Sequence, residues 1–501
     1  MTKLSEKPLE ESSLFQLKNG QYLLDPNQSK VFSTIMAEHP HNNPDYRWDE
    51  IAMADLFAKC YADNIVYCPE AKQWYSYDGT VWERDTGGIV ASENLKEFTR
   101  LMQLYCNEIP EDDGSEKEYR KFVSKLGDRR VRDRILKDAQ GEARVSISKF
   151  DANPYYINCL NGTYDLRAGQ FHTHRPEDYL TMKTDCMFPV ETMVFDSSRW
   201  EQFIDEITCG DADVAGYLQR SLGYSLVGMA NEECMFIAYG KTTRNGKGTL
   251  LNTIHTILGD YAKTIGVDFI CQGRGGRSYS QANPMVCALK GARFLTMSES
   301  DDAGRLDEAV IKNYTGGDPI STRQLYGEAF SFTPQFKMWL SCNTLPIVND
   351  SSLFSSDRVK VIEFNRHFGE DERDVKLKEK FLEPSARTGI FKWLLDGYEA
   401  YKEMGLREPE SVKNSVRTYE QKSDRVGLFV DEMCVIDKDS KVSRSELYSA
   451  YKSWCRTNGV NAKSAQKFYE AMEKHAPQKI IHGVRLFDGL KLANVSNVVI
   501  K

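Results

Sequence analysis

Gly240, Gly246 and Lys247 stand in the run "AYGKTTRNGKGTLLN" at 238–252, with the residue types and spacing of a loop that holds an anion. Glycines let backbone N–H groups approach a phosphate closely, a lysine just after them reaches the terminal phosphates, and a nearby hydroxyl can ligate a magnesium ion. The spelling departs from GxxxxGK[ST] in two ways. Gly240 sits one residue early, and Lys247 is followed by Gly248, so Thr249 becomes the hydroxyl for Mg2+. The competing reading is a glycine turn carrying surface basic residues. The flanks favour the anion loop: "CMFIAYG" is the apolar run of a buried parallel strand. "GTLLNTIHTILGD" places Leu250, Leu251, Ile254, Ile257 and Leu258 on one helical face, with Gly259 as its stop.

Further reactive positions follow in order. "GARFLTMSES" is an apolar strand ending at Glu299, whose carboxylate could polarise a water that attacks the terminal phosphate and help hold the metal. "QFKMWLSCN" is another buried strand, ending at Asn343, an amide placed to sense the γ-phosphate or orient that water. Between them "ISTRQLYGEAFSF" reads as a hairpin with Gly327-Glu328 at its tip. "SSDRVKVIEFN" sets Arg358 at the start of one more strand, from which it could reach a nucleotide held by an adjacent subunit. Each residue alone could be an ordinary surface side chain. Their succession behind a glycine loop argues for one site.

Elements that position these residues must come from a chain of 501 residues, long enough for two to four domains. Its 41% hydrophobic and 28% charged content is that of a soluble globular protein. A net charge of −8 excludes a blanket of positive charge, so any DNA contact must use a local basic lining. The 12 cysteines include no CxxC pair and no histidine at zinc-ligand spacing, which speaks against a metal framework. His172 and His174 read as surface-strand residues. No apolar run approaches the roughly 20 residues that cross a bilayer, and "MTKLSEKPLEESSLFQ" lacks a signal core, so a cytoplasmic protein is expected.

Residues 1–45 are polar and expected to be loosely ordered. From 46 to 195 an α+β domain is expected: a helix at "RWDEIAMADLFAKCYADN", a meander at "NIVYCPEAKQWYSYDGTVWERD", charged helices over 92–138 and hairpins turning at Asn161-Gly162 and Ala168-Gly169. Residues 196–405 read as an α/β core of helix, helix, strand, loop, helix and strand. A helical connector follows over 406–430. The tail, 431–501, shows a capping box at Ser443 and Glu446, a second helix, and a ribbon alternating around Asp488-Gly489. Two helices and a ribbon outline a winged helix whose Lys463, Lys467 and Arg485 could face DNA, although such folds also serve as protein docking modules.

On "GKTTRNGKGT", "FLTMSES", "IKNYTGGDPISTRQLYGE", "FKMWLSCN" and "DRVKVIEFN", the sequence resembles the superfamily 3 helicases. Within them it is similar to the primase-associated, poxvirus-like helicases of phages, plasmids and large DNA viruses. The resemblance implies an AAA+-type P-loop ATPase ring, most simply a hexamer, that encircles single-stranded DNA and unwinds forked DNA with ATP and Mg2+. By position, Lys247 resembles the Walker A lysine, Thr249 its hydroxyl companion, Glu299 the catalytic carboxylate, Asn343 sensor 1 and Arg358 an arginine finger acting across subunits. Gly240, Thr243, Arg244, Asn245, Gly246 and Gly248 would complete the nucleotide loop. Family members often carry two adjacent arginines where this chain has Asp357 and Arg358. The segment from Arg323 to Phe330 resembles a DNA-tracking hairpin, with Lys312, Arg323, Arg274 and Arg277 as further phosphate contacts. "DANPYYINCLNGTYDLRAGQ" is similar to the domain ahead of the ATPase in such proteins. The N-terminal space is too short for a polymerase-like primase module, so primer synthesis is expected of a separate protein. The expected setting is replication in a bacterial cytoplasm, without a membrane. Two rivals remain: an ATP-regulated origin-binding or loader protein, and a P-loop nucleotide kinase.

Overall fold

The computed structural model describes residues 17–18, 21–110, 114–272, 284–298, 304–323, 329–348, 352–460, 462–481 and 483–493. Two compact units emerge: Met1–Phe188 with Ser280–Gly291 and Ser321–Phe332, and the remainder.

In the first unit five helices, Pro26–Glu38, Glu50–Cys60, Ile89–Tyr105, Glu116–Lys125 and Arg129–Glu142, share a core around Phe57, Phe98, Leu101 and Tyr119. Order therefore begins earlier than residue 46. Asp25 accepts from the N–H of Gln28 in a capping box, Pro26 opens the helix, and Val31 and Ile35, one turn apart, are both 0% exposed. A 13-residue helix with only two fully buried positions gives too thin a stripe to read. Strands Ile65–Cys68, Gln73–Tyr77 and Trp82–Asp85 form the expected meander, and Tyr156–Cys159, Gly162–Asp165 and Gln170–His172 a second one. Cys159 pairs with Gly162, so the turn falls on Leu160 and Asn161, one residue before the expected pair. Gly162 is needed inside the sheet instead: a Cβ there would lie 2.4 Å from the carbonyl oxygen of His172. His172 and His174 each donate a ring N–H to a backbone carbonyl, of Thr173 and Cys159 respectively, at 2.8 Å. Ile320–Arg323 pairs with Ala329–Phe332; the hairpin tip at Gly327-Glu328 lies outside the described residues.

The second unit is built on a parallel sheet of β1 (Met235–Tyr239), β2 (Ala262–Gly266), β3 (Phe294–Ser298), β4 (Lys337–Cys342) and β5 (Val359–Glu363), in the order β2-β3-β4-β1-β5. Both faces are covered, which is why β1 is an unbroken apolar run with Met235 to Ala238 all at 0% exposure. Trp339 of β4 stacks on Phe236 of β1, 4.5 Å between centroids, and fixes their register. Helices α1 (Ser198–Ile207) and α2 (Ala212–Tyr224) precede β1, α3 (Lys247–Leu258) follows it, α4 (Glu308–Thr315) lies between β3 and β4, and α5 (Pro384–Met404) packs on α2. That crossing is close because both helices present glycine: a Cβ on Gly223 would meet the Tyr398 nitrogen at 2.3 Å, and one on Gly397 the Gln219 oxygen at 2.3 Å.

Two buried cations tie α2 to the start of the sheet. Lys337 donates to the carbonyls of Val227 and Gln335, and Arg293 to that of Leu226, just past the carbonyl end of α2 where positive charge is favoured. Burial, with the neighbouring Arg293 adding to it, pushes the Lys337 ammonium well below the ordinary lysine range.

Beyond α5 come α6 (Glu410–Ser423), α7 (Arg425–Met433), β6 (Cys434–Ser443), α8 (Arg444–Thr457), α9 (Ala465–Met472), β7 (Gln478–Ile481) and β8 (Val484–Leu492). The strands form an antiparallel sheet in the order β6-β8-β7, and the helices close over Phe429, Leu447, Tyr451, Phe468 and Phe487. Three expectations change. The C-terminal core starts with α7, not at 431, because Val426, Phe429 and Val430 belong to it. β6 is a strand that the sequence reading missed. The ribbon turns between Ile481 and Val484, with Gly483 at φ 78°, whereas Asp488 and Gly489 sit inside β8 beside a register shift in its pairing with β6.

Candidate nucleotide site

Parallel register brings the carboxyl ends of β1, β3, β4 and β5 to one edge, since Tyr239 faces Cys342 and Glu363, and Ser298 faces Ser341. In open α/β sheets that edge is where ligands bind. The loop 240–246 leaves β1 there and delivers Lys247 as the first residue of α3, with Gly246 at φ 87° as the helix cap.

Lys247 is only 5% exposed. Its Nζ donates to Asn343 Oδ1 at 3.0 Å and to the Gly240 carbonyl at 3.2 Å. Two of the sequence-selected residues, 96 positions apart, thus meet because β4 and β1 are neighbours and the Gly240 N–H bonds to the Cys342 carbonyl. The loop is internally braced by Asn245, 4% exposed, whose amide donates to the Thr242 carbonyl at 2.6 Å. Gly246 is needed for a second reason, because a Cβ there would come within 2.4 Å of Ile207 Cγ2 on α1. Thr243 and Gly248 are exposed, Thr249 half-buried.

Thr249, Arg244 and Gly246 form one wall of an open cavity of about 440 Å³, lined elsewhere by Phe203 of α1 and by Phe368 and Leu377. The run after β5 passes along the loop. The Phe364 N–H bonds to the Tyr239 carbonyl at 2.7 Å, His367 Nδ1 to that of Thr243 at 2.9 Å, and the Phe368 N–H to that of Arg244 at 2.9 Å. No signal in the sequence marks Phe203, His367 or Phe368, because His367 and Thr243 lie 124 positions apart and meet only through the fold.

Arg358 is at the other end of the sheet. Its carbonyl accepts from the Met235 N–H at the start of β1, so the length of β5, about 16 Å at 3.3 Å per residue, separates it from the loop of its own chain. The guanidinium, 15% exposed, bonds Glu233 Oε2 at 2.6 Å and Thr315 Oγ1 at 2.7 Å. Asp357, at φ 57°, pairs with Lys360 at 2.6 Å. Lys312 donates to Ser352 Oγ at 2.6 Å, and Arg323 is exposed. Lys467 and Arg485 are exposed and Lys463 half-buried. Glu299, Arg274 and Arg277 lie outside the described residues.

Three family models match in succession along the chain: "D5 N terminal like" over 54–209, a family of unknown function over 238–358, and "Poxvirus D5 protein-like" over 421–489. The protein named "Putative helicase L207/L206" of Acanthamoeba polyphaga mimivirus is 25% identical over 446 residues, covering 81% of this chain and 46% of the relative. "Putative helicase 022R" of Frog virus 3 is 21% identical over 534 residues, covering 81% and 54%. The chain is similar to the D5-like proteins over 54–209 and 421–489. The chain spans about half the length of the curated relatives it matches. The solved apo C-terminal region of NrS-1 aligns over 88% of it and 100% of that chain, at 11% identity and a TM-score of 0.47. The glycine loop, Asn343 and Arg358 all fall inside the 238–358 match, and the C-terminal match begins in the last turn of α6 and takes in α7.

Proposed function

We propose that this chain is the motor subunit of an ATP-driven viral DNA helicase of superfamily 3, working as a ring of copies, most simply a hexamer. The observation that carries the reading is the meeting of Lys247 and Asn343 over the glycine loop at the carboxyl edge of the sheet. A triphosphate would lie on the loop of an AAA+-type core, with Lys247 turning from Gly240 and Asn343 to its terminal phosphates and the nucleoside end reaching the cavity beside Phe203. The Thr249 hydroxyl, half-buried at the start of α3, is the hard oxygen donor that suits magnesium, and Glu299 would be its partner carboxylate. The ion would supply charge neutralisation at the β- and γ-phosphates. Asn343 would orient the attacking water, and Arg358, turned away from its own loop, would serve the nucleotide of the adjoining copy. Arg323 and Lys312 would track DNA phosphates, and the C-terminal unit, read as a winged helix, would add Lys463, Lys467 and Arg485. The names of the relatives from a mimivirus and a frog virus support a viral helicase and give no support to a bacterial host.

Hydrolysis of ATP with and without single-stranded DNA, measured beside unwinding of a fork, tests this reading for wild type and Lys247→Ala. DNA-stimulated turnover and strand separation are expected, both reduced about a hundredfold or more in the variant. Turnover indifferent to DNA would favour a nucleotide kinase; duplex binding without strand separation would favour a loader.

A further inference from the structure

An anion loop works when its N–H groups face the ligand, and this requires its carbonyls to turn away and find donors elsewhere. In this loop two residues, Arg244 at φ 57° and Gly246 at φ 87°, take the left-handed conformation. Glycine does so freely, but Arg244 must be held. The carbonyls on either side of its N–Cα–C unit are the two taken up by the segment after β5: that of Thr243 by His367 Nδ1 at 2.9 Å and that of Arg244 by the Phe368 N–H at 2.9 Å. Because a carbonyl only accepts, the His367 proton must sit on Nδ1. The Phe364 N–H, bonded to the Tyr239 carbonyl at 2.7 Å, starts the same run where β1 ends. His367 is exposed, as are both partners of the Arg244–Glu370 ion pair at 3.7 Å, so the hold on the loop is the sum of these contacts with the Phe368 N–H.

We infer that His367 is a positioning residue for nucleotide binding, fixing the Thr243–Arg244 peptide so that the loop is shaped for a triphosphate before one arrives. This rests on the nucleotide reading above. The nucleotide site is thereby assembled from two separate segments, the loop itself and the brace at 364–370, and the brace is no part of the glycine motif.

His367→Ala and His367→Asn test it, the second because its amide can again donate to the Thr243 carbonyl. The affinity for a fluorescent ATP analogue, the KM and kcat of ATP hydrolysis, and the melting temperature are measured for both variants, with Lys247→Ala as a control. In the alanine variant Kd and KM should rise about fivefold to tenfold, the loss of one hydrogen bond's worth of preorganisation, with kcat within about twofold and the melting temperature retained. The asparagine variant should recover most of the affinity. If the wild type binds ATP and His367→Ala binds it equally well, or if asparagine falls as far as alanine, the brace is overturned while the nucleotide reading stands. A wild type that binds no nucleotide overturns both.

Discussion

At Gly240 a single methyl group would collide with three parts of the site. Its Cβ would stand 2.4 Å from Asn245 Nδ2, 2.8 Å from the Phe364 carbonyl oxygen and 3.0 Å from Lys247 Nζ. The Phe364 contact is with backbone and Asn245 is buried, so the loop or its brace must shift. Gly240→Ala is expected to weaken ATP-analogue binding by about tenfold, or ~1.4 kcal/mol, while the melting temperature stays near that of wild type. Equal affinity in a titration would show that the loop has slack. The residues that could be found from sequence are those whose surroundings are local: Lys247 follows a glycine and opens a helix, and Asn343 ends an apolar strand. Glu233 and Thr315, which hold Arg358, and His367, which holds the loop, left no trace. Their partners are a distant side chain and a backbone carbonyl, and neither kind of contact imposes a pattern on neighbouring positions.

Helix α7 shows how a single cap divides one helix from the next. Asp424 accepts from the N–H groups of Val426 and Gly427 and lies 3.6 Å from His475. The contact with His475 foremost, then those backbone N–H groups, holds its carboxyl down to about 2 against an ordinary value of 3.8. A folded-state value below the unfolded one means stabilisation that is present above about pH 4 and lost as pH falls through about 2. Asp424→Ala should therefore be less stable than wild type at neutral pH by about 1 kcal/mol, and the gap should close between pH 4 and 2 in thermal or chemical unfolding. A gap unchanged by acid would remove the carboxylate from the account. The break at 424 was hidden because "YEQKSDRVG" reads as polar helix on both sides. β6 was hidden for a related reason: of its ten residues only Val442 is fully buried, so no alternation develops. The Asp488-Gly489 pair carried a strong hairpin signal, and the fold used it as an irregularity inside β8. The central strands were legible because burial on both faces leaves only apolar residues to choose from.

On the scale of the molecule, Lys247 and Arg358 occupy opposite ends of the same sheet, and the proposed ring would need both at each contact between copies. Lys247→Ala and Arg358→Ala should each be inactive alone. Mixed at equal amounts and allowed to exchange, they should regain up to about a quarter of wild-type ATP hydrolysis, the fraction of contacts that join an intact lysine to an intact arginine. A mixture as dead as its components would place the arginine's work within one copy. The layered α/β core of this unit could be foreseen, whereas the assignment of Ser280–Gly291 and Ser321–Phe332 to the first unit could not, since insertions into a core carry no mark of where they settle. β5 is the outermost strand of its sheet, five residues long, with α6 packed along it. Lys360, its second residue, with a side chain 6% exposed, is turned to Asp357 and Glu408 at 2.6 and 3.1 Å. A helix lying along the rim and a charged side chain turned inward both hinder a neighbour from adding a sixth strand. Copies meeting along it would touch through side chains alone, the kind of seam that can slip and re-form at every cycle without the sheet ever being torn.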